Sequence, residues 1–378
     1  MTHPKTPSKL RVALLYGGRS TEHEISLESA TSVLRNLDAA QYEILPIYVD
    51  TAGAFHRQLP APSAAPAAIS DGTSQALPVD TAGSAEALLA SQGRLLAAAD
   101  GHDLSIVFPM MHGPLCEDGS VQGLLELADV PYVGSRVLGS AICMDKDVAK
   151  RLVRAEGIPV VPYLCLRGPD YEANSTSWLP RIENELGYPV FVKPATLGSS
   201  VGVSKAKNRG ELSAGIDLAL RYDDKLLVER AIPQVREIEF AVLAGRTLTD
   251  EPEVSVAGEV IAQDGFFSFE RKYLDERGAE LRIPARLDVA TLALSQRYAR
   301  QIFLALECEG MARVDFFVDP ASGELYFNEV NTIPGFTAVS VYPKLWAASG
   351  LPYSDLLDRL LQDAVNRHAR RSRLQRQR

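Results

Sequence analysis

The stretch "MARVDFFVDPASGELYFNEVN" (311–331) constrains the fold more than any other in this 378-residue chain. Two runs rich in apolar residues flank "DPASGE", whose turn chemistry closes an antiparallel hairpin. Side chains two apart on a strand share a face. Arg313, Asp315 and Phe317 therefore share one face of the first strand, and Phe327, Glu329 and Asn331 share one face of the second. If both sets lie on the same side, two acids and an amide converge with a guanidinium beside them. A face that is half apolar and half acidic makes a poor core. Three oxygen donors without His or Cys suit a hard cation such as Mg²⁺, which takes few protein ligands and leaves the rest to phosphate oxygens. A polar surface turned to solvent would have the same pattern. The aromatics on that face and the rigid Pro334-Gly335 turn after it speak for a built site.

The rest of the chain reads as alternating strands and helices. "RVALLYGG" (11–18) is a buried strand ending in a glycine pair, and Leu27, Ala30, Val33, Leu34 and Leu37 follow at helical spacing with Ser26 as the expected N-cap. "YEILPIYVD" (42–50), "LSIVFPMMHG" (104–113) and "VPYVG" (130–134) read as further strands. That alternation predicts an α/β fold with a parallel, doubly wound sheet. The Ala-, Pro-, Ser- and Gly-rich segment 52–90 reads as an insertion or loosely ordered excursion. A second part, beginning near "CMDKDVAK", holds the strand "YPVFVKPA", a Gly/Ser loop and the strand "KLLVER". A third carries "REIEFAVLAG", "EVSVAGEVIA" and the hairpin.

The loop "KPATLGSSVGV" (193–203) places Lys193 at a strand end. Gly198, Ser199, Ser200 and Gly202 then let the backbone turn its N–H groups toward anionic oxygens. The lysine precedes the glycines, so this is not a GxxxxGK[ST] loop, and by itself the pattern fits a plain flexible turn equally well. Beside a Mg²⁺-like carboxylate face it suggests a nucleoside triphosphate, with Lys146 of "MDKDVAK" as a second phosphate lysine or an ordinary surface one. In "GGRSTEHEIS" (17–26), Glu22 lies between strand and helix, where a side chain faces a cleft or simply complements the helix dipole. No GxGxxG accompanies it, which argues against a dinucleotide-dependent dehydrogenase. His112 reads as a structural polar contact. "FERKYLDERGAELRIPA" (269–285) reads as a mobile loop of the kind that serves as a lid.

Hydrophobic content of 46% and charged content of 23% are ordinary for a soluble enzyme, and the net charge of −9 disfavours nucleic acid as a partner. Six arginines between Arg367 and Arg378 run against that balance and read as a solvated, partly disordered tail. Cys116, Cys143, Cys165 and Cys308 form no CxxC and fit free thiols in a reducing compartment. With no apolar run of about 18 residues and no signal peptide, neither membrane nor export is expected, and the cytoplasm is the expected location.

Taken in order, "GGRSTEHEIS", "MHGPLCEDGSVQG", "CMDK", "VKPATLGSSVGV", "KYL", "ARVDFF" and "NEVNTIPGFTAVS" resemble the D-alanine–D-alanine ligases of the ATP-grasp superfamily. The resemblance spans nearly the whole chain. Its departures, the 52–90 segment and the arginine-rich end, touch no motif. It implies three domains: a Rossmann-like N-terminal domain (1–134), and a two-domain ATP-grasp module made of a central subdomain (135–229) and a C-terminal catalytic domain (230–378).

The resemblance also implies roles. Glu229, Arg230, Ala231 and Ile232 would form the adenine-side hinge. Glu237 would hold the ribose, with Glu239 as rival. Lys146, Lys193, Lys272, Ser200 and Asn328 would contact the nucleotide. Asp315, Glu329 and Asn331 would bind two Mg²⁺ ions, with Mn²⁺ as a substitute. Glu22 would receive the ammonium of the first D-alanine and Ser340 the carboxylate of the second. Arg313 and the Gly335 N–H would stabilise the tetrahedral oxyanion. Ser199 and Tyr273 would link to Glu22 and close the lid. A homodimer is expected by the same analogy. A D-lactate- or D-serine-using ligase is the near alternative, and a nucleotide-binding protein without catalysis the distant one; the latter has no need of Arg313, Glu22 and Tyr273 together.

Overall fold

The computed structural model describes residues 9–57, 106–247, 249–262 and 279–375. The chain divides into two compact units, Met1–Val137 with Ile333–Arg378, and Leu138–Thr332.

The first unit opens with β1 (Leu10–Gly17), α1 (His23–Asn36), β2 (Tyr42–Val49), β3 (Phe55–Arg57), β4 (Ile106–Met110) and α2 (Ser120–Leu127). Its sheet runs β3-β2-β1-β4; β2 and β4 lie parallel to β1, and β3 is antiparallel to β2. β1 is central, so Val12 to Leu15 are buried in succession rather than alternately, as a parallel strand covered on both faces requires. "VPYVG" contributes an isolated parallel bridge between Tyr132 and Val107 rather than a strand. Ser26 does not cap α1. The helix begins at His23, and the Ser26 hydroxyl donates to the Met110 carbonyl at 2.5 Å while accepting from Gly17 N–H at 2.7 Å. It thus ties the ends of β1 and β4 together.

The second unit follows with α3 (Val137–Met144), α4 (Lys146–Ala155), β5 (Tyr163–Arg167), α5 (Gly168–Leu186), β6 (Val190–Pro194), β7 (Ser204–Ala206), α6 (Arg209–Ala219) and β8 (Lys225–Arg230). The strands form an antiparallel sheet, β5-β8-β6-β7, whose apolar face (Val190, Val192, Leu226, Val228) packs on Ile182 of α5 and on Leu212 and Ile216 of α6. Then come β9 (Arg236–Leu243), β10 (Glu253–Val254), β11 (Gly258–Ala262), β12 (Ala279–Arg282), α7 (Val289–Ala305), β13 (Met311–Val318) and β14 (Leu325–Asn331). The second sheet runs β12-β11-β9-β13-β14, with β10 paired to β9. Ala312, Val314, Phe316 and Val318 alternate into a core shared with Ile238, Phe240 and Val242 and with Ala299, Ile302 and Phe303 of α7. Arg313, Asp315 and Phe317 are left on the other face, as period two requires.

The chain returns to the first unit with α8 (Val341–Ala348) and α9 (Tyr353–Arg371). Leu356, Leu357, Leu360, Leu361 and Ala364 form the buried stripe of α9. The arginine-rich end is therefore not a solvated tail up to residue 371. Arg367 donates to the Tyr132 carbonyl at 2.8 Å, and Arg371 pairs with Glu126 at 2.9 Å. All four cysteines are free.

The hairpin departs from strict alternation at one place. Arg313 faces Asn331 and Asp315 faces Glu329, but the register then shifts so that Phe316 faces Phe327. Asn328 is the extra residue of a β-bulge. Phe327 is consequently turned into the core, where it is fully buried, and does not share a face with Glu329 and Asn331 as alternation predicts. Asn328 joins Glu329 on the working face instead.

Candidate active site

Within the second unit a cavity of about 560 Å³ is lined by both sheets. From the first sheet and its flanks come Lys146, Lys193, Ser199, Ser200, Lys205, Glu229, Arg230, Ala231 and Ile232; from the second come Glu237, Glu239, Arg313, Asp315, Phe317, Asn328 and Glu329. Thirteen of the residues singled out in the sequence thus share one space; Glu239 was weighed only as a rival to Glu237, and Phe317 only as a hairpin aromatic. Asn331 does not line it, but its amide donates to Asp315 Oδ2 at 3.0 Å. Lys272 and Tyr273 lie outside the described residues.

Local structure accounts for each placement. Asp145 caps α4, accepting from the N–H groups of Asp147 and Val148 at 3.1 Å each, which sets Lys146 as the first helical residue. Lys146 Nζ donates to the Leu197 carbonyl at 2.7 Å and stands 3.3 Å from Glu329. It therefore bridges the Gly/Ser loop and the acidic hairpin. In that loop Ser199 (φ 51°) and Ser200 (φ 59°) both adopt the left-handed conformation, which costs a non-glycine residue energy and marks functional loops. The loop's entry is pinned by Asp223, which accepts from Thr196 N–H at 2.7 Å and Thr196 Oγ1 at 2.8 Å.

Two charge clusters organise the cavity. In the first, Glu229 pairs through Oε1 with Lys150 at 2.8 Å and through Oε2 with Lys193. Burial alone would raise the Glu229 carboxyl, but the two ammonium groups hold it down at about 2. Burial likewise pulls Lys150 down and Glu229 opposes it; with a lysine on each oxygen the carboxylate is ionised. In the second, Arg313 makes a two-pronged contact to Asp315 (2.8 and 2.7 Å) and pairs with Glu239 at 3.2 Å. Burial pushes the Asp315 carboxyl up to about 7; Arg313 opposes this, and Glu239 and Glu329 add to it. This acid cluster is short of positive charge.

In the first unit, Glu22 is buried directly before α1. Gly113 (φ +80°) closes over it, and a Cβ there would stand 2.7 Å from Glu22 Oε2. His112 is the structural contact expected. Its Nδ1 donates to the Ile333 carbonyl (3.0 Å), which leaves Nε2 to accept from Ser29 (3.0 Å), whose oxygen takes Phe336 N–H (3.3 Å). That chain holds the segment bearing Gly335. Ser340, before α8, accepts from Thr337 N–H at 3.0 Å, and a Cβ on Gly335 would lie 2.8 Å from its Oγ. Ser340 and the Gly335 backbone are thus neighbours.

Residues 152–362 match the family profile described as D-ala D-ala ligase C-terminus, and residues 11–135 match D-ala D-ala ligase N-terminus. The chain belongs to the D-alanine–D-alanine ligase family. It is 48% identical over 375 residues to D-alanine–D-alanine ligase A of Bradyrhizobium diazoefficiens, covering 97% of this chain and 98% of that one. Among solved structures it is similar to the D-alanine-D-alanine ligase from Coxiella burnetii (TM-score 0.75, 35% identity, 96% and 97% coverage). It is also similar to the VanG D-Ala:D-Ser ligase from Enterococcus faecalis (TM-score 0.76, 34% identity, 94% and 100% coverage). The fold is that of the ATP-grasp ligases.

A divalent cation fits the second cluster of this family member. Asp315 and Glu329 are cross-strand partners, and a cation between them would relieve the charge that holds the Asp315 proton. Among the described residues no group of three or more His, Cys, Asp or Glu is arranged to hold a metal. Two acids and an amide leave the remaining positions to phosphate oxygens and water, as Mg²⁺ prefers. Among the described residues no helix is long and apolar enough to cross a membrane.

Sequence reading missed Lys205 and Lys207, which also line the cavity, and Lys150, which pairs with Glu229 from outside it. For Lys150 a signal existed: it lies four residues after Lys146, on the same helix face.

Proposed function

We propose that this ligase joins two D-alanine molecules into D-alanyl-D-alanine at the expense of ATP, through a D-alanyl phosphate, in peptidoglycan precursor synthesis in the cytoplasm. The observation that carries the nucleotide reading is the single cavity in which two lysines and a left-handed serine loop face a pair of acids in register. Residues 135–229 supply the phosphate loop and lysines, 230–378 the carboxylates and oxyanion donors, and 1–134 the first amino acid's subsite. The working protein is a homodimer.

Glu229 to Ile232 form the hinge beside adenine. Glu237 takes the ribose, because Glu239 stands opposite Asp315 and is engaged by Arg313. Lys146, Lys193, Lys272, Ser200 and Asn328 contact the nucleotide. Two Mg²⁺ ions (or Mn²⁺) at Asp315, Glu329 and Asn331 would neutralise charge on the β- and γ-phosphates.

A carboxylate resists amines because its leaving group would be oxide; phosphorylation supplies a good one. Glu22 holds the first D-alanine by its ammonium, and Ser340 holds the carboxylate of the second. The incoming amine then produces a tetrahedral oxyanion, toward which Arg313 and the Gly335 N–H donate. Ser199 and Tyr273 belong to the closure that excludes water from the acyl phosphate.

The test is phosphate release from ATP with D- or L-alanine, followed by product analysis with D-alanine, D-serine and D-lactate in competition from pH 6 to 9. D-Alanine-dependent release with D-alanyl-D-alanine as the main product is expected. Release without D-alanine removes the ligase reading, and a dominant D-serine product or depsipeptide removes the specificity.

A further inference from the structure

We infer that Lys150 is a positioning residue for the nucleotide's phosphates: by neutralising Glu229 from behind, it leaves Lys193 as a surplus positive charge facing the cavity. This rests on the ATP reading above.

Lys150 does not line the cavity. It sits one turn along α4 from Lys146 and is 1% exposed. Burying an ammonium this deeply is costly, and a methionine of similar length would pack there more cheaply. Its contacts indicate what it supplies. Nζ pairs with Glu229 Oε1 at 2.8 Å, reaches the Phe327 carbonyl at 3.4 Å and stands 5.7 Å over the Phe327 ring. It therefore joins three elements: α4, which carries Lys146; β8, which leads into the hinge; and β14, which carries Asn328 and Glu329.

The charge count gives the reason. Glu229 is a single negative charge, itself 2% exposed, with a lysine on each oxygen. The triad carries a net charge of +1, and only Lys193 brings that charge to the cavity. Without Lys150, Lys193 becomes the sole counter-ion of a buried carboxylate. The pair is then neutral, and a phosphate gains little from it. Replacing both Lys150 and Glu229 by neutral residues returns the count to +1 and frees Lys193 again.

Binding of Mg²⁺-ATP and of adenosine to the full chain, measured by calorimetry without D-alanine, tests this. Adenosine reports the hinge and carries no phosphate. For Lys150→Met the expected result is ATP binding weakened about ten- to a hundredfold, the scale of one charge-assisted contact, with adenosine affinity within about twofold. In the double variant Lys150→Met, Glu229→Gln, the ratio of ATP to adenosine affinity should return to within about threefold of the unmutated protein. Equal losses for both ligands, unchanged ATP binding, or a double variant whose ratio stays tenfold or more down would each overturn the inference. Should Lys150→Met alone not fold, the double variant, with no uncompensated buried charge at these positions, decides by that same ratio. Failure of the unmutated protein to bind ATP would instead remove the nucleotide reading itself.

Discussion

Glu229→Gln should destabilise the second unit in a way that depends on pH. The change is isosteric, so packing is conserved and charge is lost. In the folded protein the Glu229 carboxyl sits at about 2, against an ordinary value of 4.5. A depressed carboxyl contributes stability that is fully present above its unfolded value and lost as pH falls through its folded value. At pH 7 that contribution is about 3 kcal/mol, and at pH 3 about 1 kcal/mol. The gap between unmutated protein and variant should therefore shrink by about 2 kcal/mol between those two values. That gap is the lost pairing with Lys150 and Lys193 itself, and it is of the order that breaking a buried pair typically costs, about 3–5 kcal/mol. The two tryptophans make the assay specific. Trp178 packs against the core of the β5–β8 sheet, and Trp346 lies in the first unit. In a Trp346→Phe background, urea unfolding followed by fluorescence reports the second unit. A gap below about 1 kcal/mol at pH 7, or one that does not narrow toward pH 3, would refute the argument that Glu229 is an ionised, doubly paired carboxylate.

Glu329→Gln should fold normally, because Glu329 is half-buried and faces the cavity, yet lose most activity at ordinary Mg²⁺ and recover part of it at raised Mg²⁺; near-normal turnover throughout would sink its role at the cation site. Arg313→Met should slow turnover about 10²–10³-fold. It should also raise the Mg²⁺ requirement, because the Asp315 carboxyl, already near 7, climbs further once the guanidinium no longer opposes burial. A collapse of ATP affinity at saturating Mg²⁺ would make Arg313 a phosphate ligand instead. Phe327→Ala should cost about 3–5 kcal/mol in denaturant unfolding, since the bulge turns this ring fully into the core; a surface-like loss below about 1 kcal/mol would place the ring on the cavity face.

How far the sequence reaches depends on the range of the interaction. The hairpin was legible because two local rules decide it: alternation along each strand and turn chemistry at "DPASGE". Together they put Arg313 with Asp315, and Glu329 with Asn331, on one face of each strand; the register that sets Asp315 opposite Glu329 comes from the bulge. The parallel strand β1 was legible because a strand covered on both faces has to be apolar throughout. Alternation could not reveal the bulge at Asn328, because inserting one residue leaves the composition of the strand unchanged while reversing every side chain beyond it. That Glu239 rather than Glu237 stands opposite Asp315 needed the register of β9 on β13, which pairs residues far apart in the chain. The same holds for the arginines of α9. As a sequence they read as a solvated tail, but folding brings the Tyr132 carbonyl and Glu126 against them. Lys150 is the sharpest case. In sequence it is one more helical lysine, and only the tertiary structure sets it beside a buried carboxylate. The energy of a charge is decided by how much water is removed from it and by what stands opposite, and neither is a property of neighbours along the chain.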